Sequence, residues 1–249
     1  MDEMNWVDIS EAIQKGFTTV VIGVGSTEQH GPHLPTQTDS ILGDYLANLI
    51  ALKLGNALQA QTIRIGCSDH HLSFPGTISL KIETFKAVIS DYVESLSKHN
   101  FKTIIFLPSH GGNFIPTEEV INELIPKYPG IKIIGCTNLT RYMMRLWKIA
   151  KKDGISAEEA GVHAGELETS QMLAIVEDQV INERFEPGYI GLADRDLNIT
   201  LAEKGMSAIS SIGIIGDPTR ADIERGRIYL EQLADYIVKI IRKSNITAT

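Results

Sequence analysis

The chain has 249 residues, and the 43% that are hydrophobic can form the core of one domain spanning residues 1–249. Its net charge of −8 includes no block of like charge, so nucleic acid is not an expected partner, because phosphate binding requires a basic face. No apolar run reaches the ~18 residues of a membrane span, and the acidic start differs from a signal peptide, so we do not expect contact with membranes. The two cysteines are far apart, which fits a reducing, cytoplasmic location.

Apolar runs and amphipathic segments alternate along the chain. Continuous β-branched runs are typical of strands buried on both faces of a parallel sheet, and apolar positions at helical spacing predict the helices between them. The predicted strands are residues 18–24, 61–65, 102–107 and 131–136, and the predicted helices are residues 39–54, 83–98, 116–125, 141–152, 166–176 and 221–242. Residues 182–201 predict a long loop or lid, and residues 207–215 an edge strand. This order predicts a parallel sheet covered by helices on both faces.

Histidines and carboxylates follow the predicted strands in short loops rich in glycine, serine and proline. Glu28 and His30 lie in the loop after the first strand, with Asp39 at the start of the next helix. His110 ends the third strand, in the segment Ser-His-Gly-Gly-Asn. Ligands bind beyond the carboxyl ends of the strands in open α/β sheets, so we expect these side chains to meet at one edge. Imidazoles and carboxylates are ligands of zinc, manganese and iron, and the sequence therefore predicts a metal site there.

Each candidate ligand also has a structural interpretation. Asp39 could be only the N-cap of its helix, and His110 beside two glycines could be a structural histidine. Glu166 and Glu168 could interact only with the dipole at the start of a helix, and because residues two apart on a helix face different ways, we expect just one of them in the site. The joint occurrence of Glu28, Asp39 and His110 at one sheet edge favours the metal site.

Two further segments are expected to line a substrate pocket. His71 precedes the segment Phe-Pro-Gly-Thr, and it is expected either to contact the substrate or to stabilise the turn. The backbone amides of Gly111, Gly112 and Asn113 are expected to bind the substrate or a developing oxyanion, because glycines allow close approach of the backbone.

Taken together, six motifs resemble those of the creatininase (creatinine amidohydrolase) family. They are residues 25–35, Asp39, and residues 74–77, 109–113, 163–170 and 216–219, and they follow the family's order over nearly the whole chain. The resemblance implies a three-layer α/β/α domain with a mostly parallel central sheet, and two divalent metal ions per chain, which are zinc, manganese or iron. It also implies a homo-oligomer, often a hexamer.

The motifs carry the family's site residues over to this chain. The resemblance assigns Glu28 and His110 to one metal and His30 to the other, with Asp39 bridging the two. His163 matches the position expected to pass a proton near the leaving group. We therefore expect His163 to be a catalytic residue.

One position departs from the family's pattern. Creatinine hydrolases proper carry a glutamate two residues after the histidine that matches His110, and this glutamate binds the second metal, whereas the present chain has Gly112 there. We expect Glu168 to complete the second metal site, with Glu166 as the alternative. Creatinine is therefore not the expected substrate.

These features predict a metal-dependent amidohydrolase other than creatininase itself. The expected reaction on a small molecule is cleavage of a non-peptide C–N bond, in a cyclic amide or a formamide, by a water bridged by two divalent metals. Three alternatives stay open. They are ring-opening hydrolysis of a sugar-derived ketone or lactone, trimming of a peptide precursor, and a non-catalytic metal-binding assembly protein, which the missing glutamate at position 112 suggests.

Overall fold

The structure, a computed structural model, describes residues 1–244, so residues 245–249 of the predicted domain lie outside it. The strands of this part are β1 (Thr19–Val24), β2 (Ala57–Ile63), β3 (Thr103–Pro108) and β4 (Lys132–Gly135). They form one sheet in the order β2-β1-β3-β4, and every neighbouring pair is parallel. In this register Val20 of β1 lies between Leu58 of β2 and Ile104 of β3. The predicted parallel sheet is confirmed.

Nine α-helices accompany the sheet within residues 1–244. They are α1 (Trp6–Gln14), α2 (Thr38–Leu54), α3 (Ile82–Ser97), α4 (Phe114–Leu124), α5 (Leu139–Ala150), α6 (Ala157–Ala160), α7 (Glu166–Val176), α8 (Arg195–Lys204) and α9 (Ile223–Ser244). The six predicted helices are all among them, with ends shifted by at most two residues. None of these nine combines the length and the apolar character that crossing a membrane requires.

Helices cover both faces of the sheet because successive side chains of a strand point to opposite faces. Val20 of β1 is buried in a cluster with Phe85 of α3. Its neighbour Val21 is buried on the other face, in a cluster with Leu46 of α2 and Leu233 of α9. Full burial of an aliphatic or aromatic side chain contributes about 1.5–3 kcal/mol. The three-layer α/β/α architecture is therefore confirmed.

Two segments differ from the sequence-based prediction. The predicted loop at residues 182–201 contains most of α8, whose N-cap is Asp194 and which buries only Leu197, so its apolar periodicity is weak. The predicted edge strand at residues 207–215 is wrong. Gly213 has a φ of +75°, which interrupts an extended run, and Ile215 pairs only through isolated bridges.

Candidate metal centre

The chain turns back above the carboxyl ends of β1 and β3, and the candidate ligands lie there. The amide of Glu28 donates to Thr36 O (2.9 Å), which folds the loop after β1 over the sheet edge. Ser109 Oγ donates to the backbone oxygen of Asp39 (2.7 Å), which ties the first turn of α2 to the end of β3. These contacts bring Glu28, Asp39 and His110 together. We call Glu28, His30, Asp39, His110 and Glu168 the candidate metal centre.

Asp39 lies between two groups of side chains. Its Oδ2 atom is 3.3 Å from His110 Nδ1, which is also 3.2 Å from Glu28 Oε1. Its Oδ1 atom is 3.4 Å from His30 Nε2, which is 3.8 Å from Glu168 Oε2. Ligand atoms of Glu28, Asp39 and His110 all lie within 4.8 Å of one another, close enough to share one cation.

Three atoms of the candidate metal centre are buried without a hydrogen-bond partner, namely Glu28 Oε1, His30 Nε2 and Asp39 Oδ2. None of these three residues is more than 1% exposed. A buried polar group without a partner costs about 1–3 kcal/mol, and a charged group costs more. Divalent cations would satisfy all three atoms, so the residues present fit a metal site.

Backbone carbonyls orient the two histidines of the candidate metal centre. His110 Nε2 donates to Cys67 O (3.0 Å), and His30 Nδ1 donates to Glu28 O (3.2 Å). The other ring nitrogen of each histidine then faces the carboxylates. Metal-binding histidines usually donate their second N–H in this way, which fixes the ring and its tautomer.

Buried charges of opposite sign set the protonation of these groups. Burial by itself lowers the pKa of His30, but the carboxylates of Asp39 and Glu168 outweigh it and raise that pKa to about 10. Burial likewise lowers the pKa of His110, and the charge of Glu28 raises it well above its usual value. Burial raises the pKa of Glu168 to about 7. A bound metal would replace the positive charge of the two imidazolium rings.

Of the two glutamates at the start of α7, only Glu168 faces His30. Its Oε2 accepts from the amide of Ala164 (2.5 Å), and its side chain is 18% exposed. Glu166 is fully buried and turns toward α9. It accepts hydrogen bonds from Ser170 Oγ (2.7 Å), Arg225 Nε (2.6 Å) and Tyr229 OH (2.9 Å). The geometry therefore separates a candidate ligand from a residue that anchors α7 to α9.

His71 and His163 border the candidate metal centre at Glu28. His71 Nε2 is 3.3 Å and His163 Nδ1 is 3.8 Å from Glu28 Oε1. The ring of His163 also packs on His30, with ring centroids 4.2 Å apart. The expected substrate contact and the expected proton carrier thus lie beside the candidate ligands.

Asn113, an expected substrate contact, has a different role. Its side-chain amide donates to Val24 O (3.2 Å) and Gly25 O (2.8 Å), and its backbone amide donates to His110 O (3.1 Å). Asn113 therefore secures the sheet edge, and each of its N–H groups already has a backbone acceptor. The two glycines before it stay predicted substrate contacts.

A cavity of about 340 Å³ opens beside His30. Its lining residues include Gln29, Pro32, Phe74, Glu186 and Ile212. The volume lies in the range of small-molecule pockets. Of the five residues of the candidate metal centre, His30 lines this cavity, so the cavity borders the centre on the His30 side.

Gln29 is the residue of this region that the sequence interpretation missed. In an extended segment, Glu28 and His30 point one way and the residue between them points the other. The side chain of Gln29 is nevertheless only 6% exposed, and it contacts both His71 and His163. Its place inside the Glu-Gln-His motif was the available signal.

Comparison with known proteins identifies the family. Residues 2–241 match the family model described as creatinine amidohydrolase. The chain belongs to the creatininase family. It is a creatininase-family hydrolase, as its motifs predict.

Similar proteins include a mycofactocin precursor peptide peptidase of Mycolicibacterium smegmatis, which is 32% identical over 221 residues, or 86% of this chain and 81% of that one. A 3-dehydro-scyllo-inosose hydrolase of Thermotoga maritima is 32% identical over 240 residues, or 90% of this chain and 76% of that one. A crystal structure of creatinine amidohydrolase (creatininase) has a TM-score of 0.80 at 22% identity, covering 98% of this chain and 96% of that one, and confirms the fold.

Gly112→Ala is expected to lower metal affinity about 10–100-fold. A Cβ at this position would overlap Cys67 O and would lie 2.6 Å from His110 Nε2, so it would disturb the carbonyl that orients His110. Gly111→Ala is the matched control, because nothing lies within 4 Å of its added Cβ. Competition with a chromophoric zinc chelator measures both affinities. Equal affinities in the two variants would contradict this account.

Proposed function

We propose that this protein uses two divalent metal ions, zinc, manganese or iron, to hydrolyse a non-peptide C–N bond in a small cyclic amide or formamide. The observation that carries the proposal is the position of Asp39. One of its carboxylate oxygens faces His110 at 3.3 Å and the other faces His30 at 3.4 Å. Glu28 accompanies the first histidine and Glu168 the second. A carboxylate that bridges two cations requires such an arrangement.

The residues around the metals would divide the chemistry. Two bound cations supply Lewis acidity and lower the pKa of coordinated water from about 15.7 toward about 7. Burial, together with the charges of His30 and His71, holds the pKa of His163 well below its usual value. The ring of His163 is therefore neutral at pH 7 and can take up a proton and pass it to the leaving nitrogen. The backbone amides of Gly111 and Gly112 would orient the substrate carbonyl.

A second candidate function keeps the same metals and changes the bond. The similarity to an inosose hydrolase supports hydrolysis of a sugar-derived ring ketone or lactone, and the similarity to a precursor peptidase supports cleavage of a peptide. All three substrate classes present a carbonyl that a metal ion can polarise.

A substrate panel tests the proposed function. Cyclic amides, formamides, lactones, ring ketones and short peptides are assayed with the zinc, manganese and iron forms, and the products are identified by mass spectrometry. We expect turnover of a cyclic amide or a formamide. Turnover of only a ketone, a lactone or a peptide would replace the proposal with that reaction. Two bound metals with no turnover of any class would favour a non-catalytic assembly protein.

Two further properties stay predictions. We expect a homo-oligomer, with six subunits as the resemblance implies, and a cytoplasmic location. Size-exclusion chromatography with light scattering tests the first, and fractionation of cells that express the protein tests the second.

Metal binding is expected to release protons and to become stronger as the pH rises. The carboxylates of Asp39 and Glu168, opposing burial, raise the pKa of His30 to about 10, so this ring carries a proton at pH 7 that a metal must displace. Below that pKa, log affinity is expected to rise by about one unit per pH unit for each displaced proton. Calorimetric titration in two buffers of different ionisation enthalpy measures the released protons. Binding without proton release would be inconsistent with this protonation state.

His163→Ala is expected to keep both metals and to lower kcat about 10²–10⁴-fold, because a proton carrier is lost while all five residues of the candidate metal centre are kept. His99→Ala, at an exposed position after α3, is the control. Metal content per chain and steady-state kinetics on the best substrate of the panel are measured together. Full activity of the His163 variant would remove His163 from the mechanism.

A further inference from the structure

The orientation of the Gln29 side chain is fixed by two backbone groups. Its Oε1 accepts from the amide of Gly31 (2.9 Å), and its Nε2 donates to the carbonyl of Gly213 (3.2 Å). A backbone N–H only donates and a backbone C=O only accepts, so the oxygen and the nitrogen of the amide are assigned without ambiguity. The other side-chain proton of Gln29 is then free for one more acceptor.

That acceptor is His71. Its Nδ1 lies 2.8 Å from Gln29 Nε2, so it receives the second amide proton. A neutral imidazole has one protonated nitrogen and one acceptor nitrogen, and the proton of His71 is therefore on Nε2. This N–H faces Glu28 Oε1 at 3.3 Å.

Gln29 also fixes the tautomer of His163, whose unprotonated nitrogen faces Glu28. Its Nε2 lies 2.8 Å from the backbone oxygen of Gln29 and 2.9 Å from Gln29 Nε2, whose two protons already have acceptors. His163 Nε2 therefore carries the proton and donates to the carbonyl. The unprotonated Nδ1 faces Glu28 Oε1 at 3.8 Å.

The fold keeps space for this amide. Gly213 has a φ of +75°, and a Cβ at that position would overlap Gln29 Oε1. Only glycine adopts this conformation without strain and also leaves room for the side chain of Gln29.

The hydrogen bonds of Gln29 determine which of the nearby histidines can bind a metal ion. Glu28, His71 and His163 are all buried and lie close enough together to form a third candidate ligand group, in addition to the groups Glu28–Asp39–His110 and His30–His163–Glu168. A neutral histidine binds a metal through its unprotonated nitrogen. With its Nδ1 occupied by Gln29 and its Nε2 protonated, His71 has no lone pair to offer.

We propose that Gln29 is a positioning residue that fixes the tautomers of two buried histidines. It directs the Nε2–H of His71 toward Glu28 and excludes His71 from metal coordination, while His163 keeps a free Nδ1 toward the centre. The proposal rests on the proposed two-metal function and adds to it the reason why the third ligand group does not bind a metal. An N–H directed at a ligating carboxylate favours its charged form, and groups around the ligands commonly tune metal sites.

The test uses the unmodified full-length chain with ¹⁵N-labelled histidine, loaded with cadmium-113. Two-bond ¹H–¹⁵N spectra report the tautomer of each ring, and ¹¹³Cd–¹⁵N couplings report direct coordination. We expect couplings to His30 and His110, none to His71, and a proton on Nε2 of both His71 and His163. A cadmium coupling to His71, or a proton on its Nδ1, would overturn the proposal. Loss of the couplings to His30 and His110 alone would instead overturn the two-metal centre.

Gln29→Glu supplies a second test. A carboxylate at this position only accepts, so the proton of His71 is expected to move to Nδ1, and kcat is expected to fall about 10–100-fold, as for loss of a residue that orients a ligand. Gln61→Glu introduces the same charge at an exposed position of β2 and is expected to change neither quantity. An unchanged His71 tautomer in a folded Gln29→Glu variant would contradict the assignment. If this variant does not fold, the spectra of the unmodified chain decide.

Discussion

Asp39→Asn is expected to remove both metal ions and to lower kcat/KM by about 10³-fold or more. The two oxygens of Asp39 face different histidines, at 3.3 and 3.4 Å, and an asparagine replaces one of them by an NH₂ group that cannot bind a cation. Metal content per chain is measured by inductively coupled plasma mass spectrometry, beside kcat/KM on the best substrate of the panel.

The matched control for this variant is Asp44→Asn on the same helix. Asp44 pairs with Arg64 at the surface (2.5 Å), and exposed ion pairs contribute only about 0–1 kcal/mol to stability. The control is expected to keep two metals and full activity. An Asp39→Asn protein that still holds two metals would show that Asp39 does not bridge them.

Glu168→Gln is expected to lose one of the two metals and to stay as stable as the unmodified protein in its metal-free form. Glu168 is the carboxylate of α7 that faces His30, at 3.8 Å, and it accepts a hydrogen bond from the amide of Ala164, just before the helix. The second metal then lacks its only glutamate ligand, because Gly112 offers no side chain. Metal content and the free energy of unfolding in urea are measured for the same samples.

Glu166→Gln is the contrasting variant, and the opposite result is expected. This substitution breaks a buried ion pair with Arg225 (2.6 Å) and weakens the bond to Tyr229 of α9, so the free energy of unfolding is expected to fall by about 3 kcal/mol. Both metals are expected to stay bound. If Glu166→Gln lost a metal and Glu168→Gln did not, the assignment of the two glutamates would be reversed.

The strands with continuous β-branched runs could be predicted from the sequence because burial on both faces leaves a strong signal. The ends of β1, β3 and β4 all lie within one residue of their predicted positions. The edge strand β2 begins four residues before its prediction, because its polar residues Gln59 and Gln61 interrupt the apolar run. Helix α1 was not predicted; it buries no residue fully, and Ile9 and Ile13 are only partly buried where they pack against the core.

Glu28, His30 and His110 could be predicted as candidate ligands because they lie in short motifs that follow strands. Glu28 and His30 are two residues apart, and parallel strands bring His110 to the same edge. The choice between Glu166 and Glu168 could not be made from spacing alone. It depends on Arg225, which is 59 residues away from Glu166 along the chain and meets it only in the folded protein.

The role of Gln29 could not be predicted from the sequence either, because it also depends on a residue distant along the chain. Its side chain is held by Gly213, which is 184 residues away, and by a glycine conformation with positive φ. No local pattern reports such a contact.

The most direct test of the metal centre is anomalous diffraction from crystals of the zinc-loaded protein. Data collected on both sides of the zinc absorption edge are expected to give two peaks per chain, about 3.5–4 Å apart, on opposite sides of the Asp39 carboxylate. One peak would lie beside Glu28 and His110, and the other beside His30 and Glu168. A single peak, or peaks that do not contact Asp39, would contradict the two-metal centre on which the proposed hydrolysis depends.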